Sequence, residues 1–362
     1  MRIRSVVSQA SVLSRVSAEA SRLHGGGRLA AAARARRLRT RGSFQYDEAL
    51  AAGLLDPALD ERDALRFVSE HDTSRVVERL NPQSLAHLTA EKAIFYRHFG
   101  ALGIRIPALY GLIGRGASWS ATAGARPLGG VDGAASLLAE GTPAEFVVKP
   151  SAGHHGLGVR VLRHEAGELI DLDGTRRTPL QLVRELQADP EFDLFVVQER
   201  LRNHAEVLAL CESETLQTVR LTTFVPDSGG PQVVHASFKL AFGGSNVDNF
   251  HSGANGNVIA EVDLATGQLL RPFALTGPPH PGIEGRPLPE WHGAVALARR
   301  GAELLLPQRT MGFDVALTPS GPVIVEANRG YDPFPSAHFG AVLRAIKRAA
   351  AGGGPALVLA GA

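Results

Sequence analysis

Runs of β-forming residues follow one another through the middle of this chain, and most of them are separated by turns. They span residues 145–149, 158–162, 195–199, 218–225, 233–241 and 257–263. Asp173-Gly174, Gly229-Gly230 and Thr266-Gly267 are typical of turns between antiparallel strands. A doubly wound parallel sheet would instead need a helix in each crossover. The pattern therefore predicts an α+β fold with largely antiparallel sheets.

Helical spacing of apolar residues marks the regions on either side of these strands. It predicts helices over 46–55, 63–69, 88–100, 134–140, 179–188 and 290–306. A short strand is predicted over 103–107, where a proline closes it. The length of 362 residues suffices for about two domains.

Three strand-like segments end in charged or amide side chains, and they occur in an informative order. They are Phe146-Val-Val-Lys-Pro150, Phe195-Val-Val-Gln-Glu-Arg-Leu201 and Val323-Ile-Val-Glu-Ala-Asn328. A lysine comes first, an amide–acid pair second, and an acidic residue with an asparagine last. This order predicts a nucleotide site assembled from a phosphate clamp, an adenine hinge and metal ligands. We therefore expect an ATP-dependent enzyme.

The phosphate clamp is predicted at Lys149 and the glycine-rich loop that follows it. The loop residues are Gly153, His154, His155, Gly156 and Gly158. Glycines let the backbone approach an anion closely and point N–H groups at it. The spacing matches neither the P-loop nor the Rossmann pattern. Such a loop could also be a plain hairpin, but a lysine on the preceding strand favours an anionic ligand.

The second segment places Gln198 and Glu199 at the end of a strand. Backbone groups there can pair with the edge of an adenine ring. A solvated strand end is the alternative for Glu199 taken alone. The order of the three segments favours the adenine hinge.

Asp314 and Glu326 are the predicted metal ligands. The chain around them reads as two strands joined by the turn Thr318-Pro-Ser-Gly321. A tight hairpin makes the two carboxylates near cross-strand neighbours on one face. Adjacent carboxylates repel unless a cation lies between them, and oxygen ligands of this kind suit Mg²⁺. Asn328 lies on the same face and can supply a third oxygen, whereas solvent-facing carboxylates are the alternative.

Arg220 and Lys239 lie on other predicted strands and are candidates for contacts with a phosphate or carboxylate. Structural ion pairing is the alternative for each of them. The histidines His154, His155, His251 and His280 show no metal-ligand spacing, so the sequence predicts no zinc site. The single cysteine, Cys211, excludes an internal disulfide and fits a reducing cytoplasm.

Charge is unevenly distributed along the chain. Residues 1–46 contain ten arginines and one acidic residue, whereas the remainder contains 28 basic and 35 acidic residues. This basic arm does not favour nucleic acid, because it lacks the aromatic residues of a stacking platform. It also lacks the continuous apolar stretch of a secretory signal, although its composition resembles a transit peptide. We expect a solvated amphipathic helix that packs on a partner or an anionic surface, and no transmembrane segment.

Several short motifs together resemble the ATP-grasp superfamily, and specifically its sugar-transfer-associated, glutamate-ligase-like branch. The resemblance runs from about residue 44 to about residue 338. Its motifs are Leu80-Asn-Pro82, Glu91-Lys92, Gly103-Ile-Arg-Ile-Pro107, Lys149-Pro150, Val197-Gln-Glu199, Thr218-Val-Arg220, Val247-Asp-Asn249, Gly312-Phe-Asp314 and Glu326-Ala-Asn328. Two positions depart from the branch: Lys239 replaces an arginine, and Ser252-Gly-Ala-Asn255 replaces a tighter glycine pair.

The resemblance implies two α+β subdomains that grip ATP between largely antiparallel sheets, preceded by a helical region. The expected segments are a basic arm (1–42), a helical N-terminal region (43–110), a small subdomain (111–202), a large subdomain (203–348) and a flexible tail (349–362). The small subdomain would hold the phosphate flap and the adenine hinge. The large subdomain would hold the metal and the acceptor site.

The resemblance also implies roles for particular residues. ATP would contact Lys149, the glycine loop, Gln198, Glu199, Arg200, Leu201 and Glu206. Magnesium, or manganese in its place, would bind Asp314, Glu326 and Asn328, while Arg220 and Lys239 would act in catalysis. Substrate would contact Asp248, Asn249, His251 and Arg329.

The expected activity is an ATP-dependent carboxylate–amine or carboxylate–thiol ligase that forms an acyl phosphate and releases ADP and phosphate. Its substrates would be small carboxylates and amines, with a peptide or a carrier-bound acceptor as variants, in the biosynthesis of a cell-surface polymer or peptide-like product. The alternatives are a phosphotransferase on the same scaffold and a catalytically silent nucleotide-binding subunit. The N-terminal arm is a candidate homodimer element.

Overall fold

The structure is a computed structural model that describes residues 9–121, 126–153, 156–211, 213–242, 257–274 and 282–351. Within these ranges it combines helices with two antiparallel sheets. The helices are α1 (Gln9–His24), α2 (Arg28–Gly42), α3 (Tyr46–Ala51), α4 (Glu61–Ala64), α5 (Glu70–Leu80), α6 (His87–Ala90), α7 (Lys92–Ala101), α8 (Gly130–Glu140), α9 (Pro179–Gln187), α10 (Ala205–Cys211), α11 (Trp291–Leu304) and α12 (Ala337–Ala349).

The first sheet has eight strands in the spatial order β3-β2-β1-β8-β4-β5-β6-β7. They are β1 (Leu109–Gly114), β2 (Ser118–Ser120), β3 (Arg126–Leu128), β4 (Glu145–Pro150), β5 (Arg160–Glu165), β6 (Glu168–Asp171), β7 (Arg176–Arg177) and β8 (Leu194–Glu199). Helices α8 and α9 contribute Leu138 and Leu182 to the core on one face of this sheet, against Phe146 and Val197. All neighbouring pairs in this sheet are antiparallel.

The second sheet has six strands in the order β12-β11-β10-β9-β13-β14. They are β9 (Thr218–Phe224), β10 (Gln232–Leu240), β11 (Val258–Val262), β12 (Leu269–Phe273), β13 (Thr310–Thr318) and β14 (Gly321–Asn328). Helix α11 packs Ala298 and Ala302 into the core beside Phe313 and Ile324. This leaves the opposite face of the sheet available for polar side chains. The predicted α+β class with largely antiparallel sheets is confirmed.

Three predicted elements differ from the structure. The helix predicted over 63–69 already ends with α4 at Ala64, because Ser69 has an extended backbone and caps the next helix, α5. The helix predicted over 88–100 is divided into α6 and α7, because Glu91 has an extended backbone with φ −103° and ψ 106°. The strand predicted over 103–107 is an irregular segment. It makes single backbone hydrogen bonds instead of a ladder, as where Ile324 N donates to Arg105 O at 3.0 Å. Pro107 lacks the N–H that a continuous ladder would need.

The N-terminal arm forms two packed helices where the sequence predicts one solvated helix. Consecutive glycines at positive φ, Gly25 at 74° and Gly26 at 82°, turn the chain between α1 and α2. Val16 and Leu38 are fully buried in a core that these helices share with Phe44. Several arginines of the arm pair within the chain, as Arg37 does with Glu61 at 2.8 Å. Apolar contact with the region after residue 42 therefore holds the arm.

No helix in the described ranges is both long and apolar enough to span a lipid bilayer.

Candidate functional site

A cavity of about 1260 Å³ lies where the two sheets and the N-terminal helical region meet. Strands β4 and β8 line it from the first sheet, and β9, β10, β13 and β14 line it from the second. Phe44 and Glu48 border it from the N-terminal region. The predicted site residues that line it are Lys149, Gly153, Gly156, Gln198, Glu199, Arg200, Leu201, Arg220, Lys239, Asp314, Glu326 and Asn328.

The floor of the cavity is a row of polar residues that crosses the second sheet from strand to strand. Antiparallel pairing joins Glu261 to Ser237, Ser237 to Arg220, Arg220 to Asp314, and Asp314 to Glu326. Residues directly opposite one another in a sheet project from the same face. Side chains from distant parts of the sequence are thereby brought into one line.

The hairpin of β13 and β14 gives the cross-strand neighbours that the sequence predicts. Asp314 pairs with Glu326, and a register shift between Asp314 and Val315 divides the ladder. Toward the turn, Ala316 pairs with Val323 instead of residue 324. Without the bulge, the register at the turn would pair Asp314 with Val325, so the bulge is what places the two carboxylates opposite one another.

Asp314 is buried and lies between two cations. Arg220 donates from Nε to Oδ1 at 2.5 Å and from Nη2 to Oδ2 at 2.9 Å. The Lys239 ammonium lies 3.2 Å from Oδ2. Burial alone would raise the pKa of Asp314, but the charges of Arg220 and Lys239 outweigh it and lower that pKa to about 2. Asp314 is thus an anion throughout the physiological pH range.

These cations change the expectation that the two carboxylates repel one another in the absence of metal. Arg220 and Lys239 neutralise Asp314, while Lys92 Nζ lies 3.1 Å from Glu326 Oε1. The alternative of solvent-facing carboxylates does not describe Asp314, whose side chain is 7% exposed. Repulsion between Asp314 and Glu326 is therefore offset by side chains of the protein itself.

The donor set at this point suits a magnesium ion together with phosphates. Asp314 and Glu326 offer carboxylate oxygens from neighbouring strands, and the Asn328 amide lies 3.4 Å from Asp314 Oδ2. Mg²⁺ in proteins is held by one or two carboxylates plus substrate phosphates. The surrounding lysines and arginine supply the positive charge that a polyphosphate would need. The residues present fit that ion.

Lys149 is buried on β4 and faces the same region. Its ammonium donates a hydrogen bond to the Tyr96 hydroxyl at 2.8 Å, and Tyr96 donates in turn to the Val325 carbonyl at 2.8 Å. Burial, reinforced by the positive charge of Lys92, lowers the pKa of Lys149 to about 7. Among the residues that the structure describes, Lys149 thus has no anionic partner in hydrogen-bond contact, and it lies in a position where an anion would be favoured.

Lys92 is a site residue that the sequence reasoning missed. Its ammonium donates to the Gly153 carbonyl of the glycine loop at 2.5 Å and lies 3.1 Å from Glu326. It therefore connects the loop with the carboxylate strand. A signal was present, since Lys92 lies at helical spacing from the buried residues Phe95, Tyr96 and Phe99 of α7. A lysine on the apolar face of a helix needs a partner.

The glycine loop joins β4 to β5, and two of its glycines are required by geometry. Gly156 and Gly158 have φ values of 74° and 70°, which side-chain-bearing residues rarely adopt. A Cβ atom on Gly158 would lie 2.8 Å from Pro150 Cγ. His154 and His155 lie outside the described residues. The described part of the loop thus folds tightly over the end of β4.

The predicted adenine hinge lies at the end of β8. The Gln198 side chain is buried and its Oε1 has no hydrogen-bond partner among the described residues. Glu199 is tied to the preceding segment, since Ala108 N donates to its carboxylate at 3.1 Å and Glu199 N donates to Ala108 O at 2.8 Å. Arg200 pairs with Glu145 at 2.9 Å. Gln198 is therefore the hinge residue with unused hydrogen-bonding capacity.

Other predicted site residues are not brought into this arrangement. Glu206 is exposed on α10 and does not line the cavity, whereas Glu214 does. Arg329 donates from Nη2 to the Asn81 carbonyl at 2.7 Å and so ties β14 to the end of α5. The predicted substrate residues Asp248, Asn249 and His251 lie outside the described residues.

Comparison with known proteins gives one family match. The model of the family described as sugar-transfer associated ATP-grasp matches residues 72–336, which is most of the chain. A search of curated proteins gave no match.

The solved structures that this chain matches show low identity to it. D-alanyl-alanine synthetase A from Vibrio cholerae is 12% identical, with a TM-score of 0.44, over 75% of this chain and 67% of that one. Biotin carboxylase from Campylobacter jejuni is 13% identical, with a TM-score of 0.46, over 76% of this chain and 50% of that one. A RimK domain protein ATP-grasp from Sphaerobacter thermophilus is 17% identical, with a TM-score of 0.36, over 72% and 69%. The chain therefore spans only half the length of the biotin carboxylase.

Proposed function

The chain belongs to the sugar-transfer-associated ATP-grasp family, and from that premise we propose that it is an ATP-dependent ligase that joins a carboxylate to an amine or a thiol. The observation that carries the proposal is the convergence of Lys92, Lys149, Arg220 and Lys239 with two carboxylates on one cavity. Four basic side chains around two acidic ones favour a polyphosphate accompanied by a divalent cation.

The nucleotide would lie between the two sheets. Lys149 and Lys92 would bind its phosphates together with the glycine loop, since Lys92 already contacts that loop at Gly153. Gln198 and the segment through Leu201 would contact the adenine, using the free Oε1 of Gln198 as an acceptor for an amino group. This assignment gives Lys92 and Lys149 an anionic ligand.

Asp314, Glu326 and Asn328 would hold Mg²⁺, or Mn²⁺ in its place. When bound, the ion would neutralise charge on the β- and γ-phosphates and hold them in line for transfer. Because Asp314 remains ionised far below neutral pH, its readiness as a ligand would not depend on pH in the physiological range.

The reaction we propose has two steps. An oxygen of the substrate carboxylate attacks the γ-phosphorus, the bond from that phosphorus to the bridging oxygen breaks, and ADP leaves. The nitrogen of the amine then attacks the acyl carbon of the acyl phosphate, loses a proton, and displaces phosphate. Arg220 and Lys239 would stabilise the negative charge on the transferred group. No side-chain nucleophile is required.

The cavity is large enough for more than a nucleotide. Its volume of about 1260 Å³ exceeds the ~300–1,000 Å³ of ordinary ligand pockets. Phe44, Phe67, Phe334 and Phe339 line it in addition to the polar residues. This apolar part would accept the co-substrates, among them a peptide or a carrier-bound acceptor. Use of ATP suits a cytoplasmic enzyme of biosynthesis.

The nucleotide product and the trapping of an intermediate test the proposal. The enzyme is incubated with Mg²⁺-ATP, hydroxylamine and a panel of amino acids and sugar acids, and ADP, AMP and hydroxamate are measured. ADP with a hydroxamate formed from one acid is expected. AMP as the product would refute the mechanism, and ADP with a phosphorylated alcohol but no hydroxamate would assign a phosphotransferase. Absence of any ATP turnover would favour a silent nucleotide-binding subunit.

Lys149→Ala tests the phosphate contact in the same assay, with Lys347→Ala as its matched control. We expect turnover to be lost, because the phosphates lose their strand-borne cation. Lys347→Ala, on α12 away from the cavity, should keep the rate of the unmodified protein. Equal rates for the two variants would contradict the role given to Lys149.

A further inference from the structure

A second group of potential ligands lies at the other end of the polar row that floors the cavity. His235 on β10, Glu261 on β11 and His338 at the start of α12 bring one ligand atom each to within 4.8 Å of one another. Glu261 is separated from Asp314 by three strand spacings, or about 14 Å. The group is therefore distinct from the carboxylates assigned to magnesium.

Both imidazoles converge on one oxygen of the carboxylate. His235 Nε2 lies 3.3 Å from Glu261 Oε1, and His338 Nδ1 lies 2.5 Å from the same oxygen. Two ligands about 2.0–2.1 Å from a tetrahedral zinc ion are about 3.3 Å apart. His235 and Glu261 already have this separation. The His338 side chain is 47% exposed, so it has room to move by the remaining distance.

The Nε2 atom of His235 is a buried ring nitrogen that the protein satisfies poorly. The side chain is 2% exposed, and the contact of Nε2 with Glu261 Oε1, at 3.3 Å, lacks good hydrogen-bond geometry. A buried polar atom without a partner is costly, so such atoms call for a ligand. Phe334 and Phe339 pack on the ring at centroid distances of 5.2 Å and 4.8 Å and fix its orientation.

The other oxygen of the carboxylate is oriented by an arginine. Arg271 Nη2 donates to Glu261 Oε2 at 2.7 Å, which leaves Oε1 directed at the two histidines. Residues that hold a metal-binding carboxylate from outside in this way are a regular part of metal sites. The arrangement thus has three ligand atoms close together and a supporting contact.

We propose that His235, Glu261 and His338 form a binding site for a divalent transition metal of the zinc class, separate from the magnesium site. Two imidazoles with one carboxylate favour such ions over Mg²⁺, which prefers oxygen ligands. Three protein ligands leave a fourth position free, as in catalytic zinc sites. That position would be accessible from the cavity, which His235 lines.

An ion at this position would meet the co-substrate and not the phosphates, because it lies about 14 Å from Asp314 along the row. Its free position would bind an oxygen or nitrogen of the acceptor. This role rests on the proposed ligase function, whereas the metal site does not. The test accordingly measures metal binding without nucleotide.

Chelator-treated protein is dialysed against Zn²⁺, and bound metal is counted; Co²⁺ then replaces it so that visible absorption reports the ligand geometry. We expect one tight equivalent and the intense absorption of a four- or five-coordinate ion. His338→Gln and Glu261→Gln should weaken binding at least about 100-fold, a larger loss than removal of an outer contact causes. Arg271→Ala, at an exposed position, should weaken it about 10-fold.

Two matched variants make the result specific. His164→Gln removes a histidine on β5 of the first sheet, where its ring contacts Thr142, and this variant should bind one equivalent unchanged. Asp314→Asn should also keep the zinc-class site. Failure of the unmodified protein to bind, unchanged binding in both ligand variants, or loss of the tight equivalent in Asp314→Asn would overturn the proposal. In the first two cases, the three side chains would form a hydrogen-bonded network only.

Discussion

Asp314 owes its charge state to two side chains that approach it from neighbouring strands. Arg220 and Lys239 contact both of its oxygens inside a buried environment. Removing one member of such a group leaves the others buried without their counter-charge. The carboxylate should therefore contribute strongly to stability as well as to metal binding.

Asp314→Asn should lower the free energy of unfolding by about 3 kcal/mol, since it leaves two cations partly uncompensated. Glu326→Gln should cost about 1 kcal/mol or less, because its side chain is 28% exposed and the ion pair with Lys92 is partly screened. Urea unfolding without divalent ions measures both. Equal stability losses would contradict the difference in burial on which this prediction rests.

Asp314 should also make the stability of the protein depend on pH in the acidic range. Its pKa is about 2 in the folded protein and near 3.8 when unfolded, so its stabilising contribution is complete above about pH 4. That contribution is lost as the pH falls toward 2. Unfolding at graded acidity should show a shallower loss in Asp314→Asn than in the unmodified protein.

Lys149 should make nucleotide binding consume a proton. Its pKa of about 7 leaves the side chain mostly neutral at pH 8.5, and a polyphosphate would favour its charged form. Titration calorimetry in two buffers of different ionisation enthalpy should give an uptake near one proton at pH 8.5 and near zero at pH 6. Lys149→Arg stays charged and should show no uptake at either pH.

The lowered pKa of Lys149 also determines the direction in which the stability of the protein changes with pH. Between about pH 7 and pH 10.5 the unfolded chain binds more protons at Lys149 than the folded one does. Stability should therefore rise with pH across this window through this residue. If Lys149→Arg showed the same proton uptake and pH slope as the unmodified protein, these effects would belong to another group.

At the scale of elements, the break between α6 and α7 is held by the residue that follows β4. Ser151 Oγ donates to the Glu91 carboxylate at 2.8 Å and accepts from Ala93 N at 3.2 Å. Its carbonyl accepts from Lys92 N at 3.0 Å. Ser151 therefore caps α7 from another part of the chain and fixes the position of Lys92 beside the glycine loop.

Ser151→Ala should cost about 1–2 kcal/mol of stability, because it leaves the Ala93 N–H and the Glu91 carboxylate without this partner. It should also weaken ATP binding several-fold through Lys92. The matched control is Ser118→Ala, since that hydroxyl is buried and has no hydrogen-bond partner among the described residues. Ser118→Ala should be nearly neutral; an equal loss in both variants would mean that Ser151 acts through packing alone.

Much of the element pattern could be predicted from sequence, and the exceptions share a cause. The hairpin around Asp314 and Glu326 is set by local turn chemistry, so it could be predicted, whereas the bulge that places the two carboxylates opposite one another could not. The helix break at Glu91 depends on Ser151, which is sixty residues away. Likewise, the spacing of His235, Glu261 and His338 carries no metal pattern, because β10, β11 and the start of α12 come together only in the folded chain. Local signals cannot report contacts of this kind.

At the scale of the whole molecule, the N-terminal helices share a core with the wall of the cavity. Phe44 belongs to the core of α1 and α2 and also lines the cavity, as does Glu48 on α3. The sequence shows the arginines of the arm but does not indicate which side of its helices is buried. The reason is that α2 consists mostly of alanine and arginine and has few large apolar residues. The arm therefore packs, through Phe44, against the apolar part of the cavity that we assign to the co-substrates.

Deletion of residues 1–42 should expose Phe44, Tyr46 and Leu50 and lower the stability of the N-terminal region. Nucleotide binding should persist, because Lys149, Gln198 and Asp314 lie on the two sheets.

Within α2, Leu38→Ala should lower the free energy of unfolding by about 2–4 kcal/mol, since Leu38 is fully buried. Leu29→Ala, at a position 88% exposed on the same helix, should change stability by less than about 0.5 kcal/mol. Equal effects would mean that the arm does not pack as described.

The pairing of Arg220 and Lys239 with Asp314 also bears on the order in which ligands arrive. A free divalent ion meets a carboxylate whose two oxygens are already engaged, and it must compete with both cations for them. Phosphates that arrive first would attract the arginine and the lysine and release the carboxylate to the metal. Nucleotide would thus have to separate the ion pair before the metal can bind to Asp314. Mg²⁺ alone should therefore bind weakly, and nucleotide should bind before the metal does.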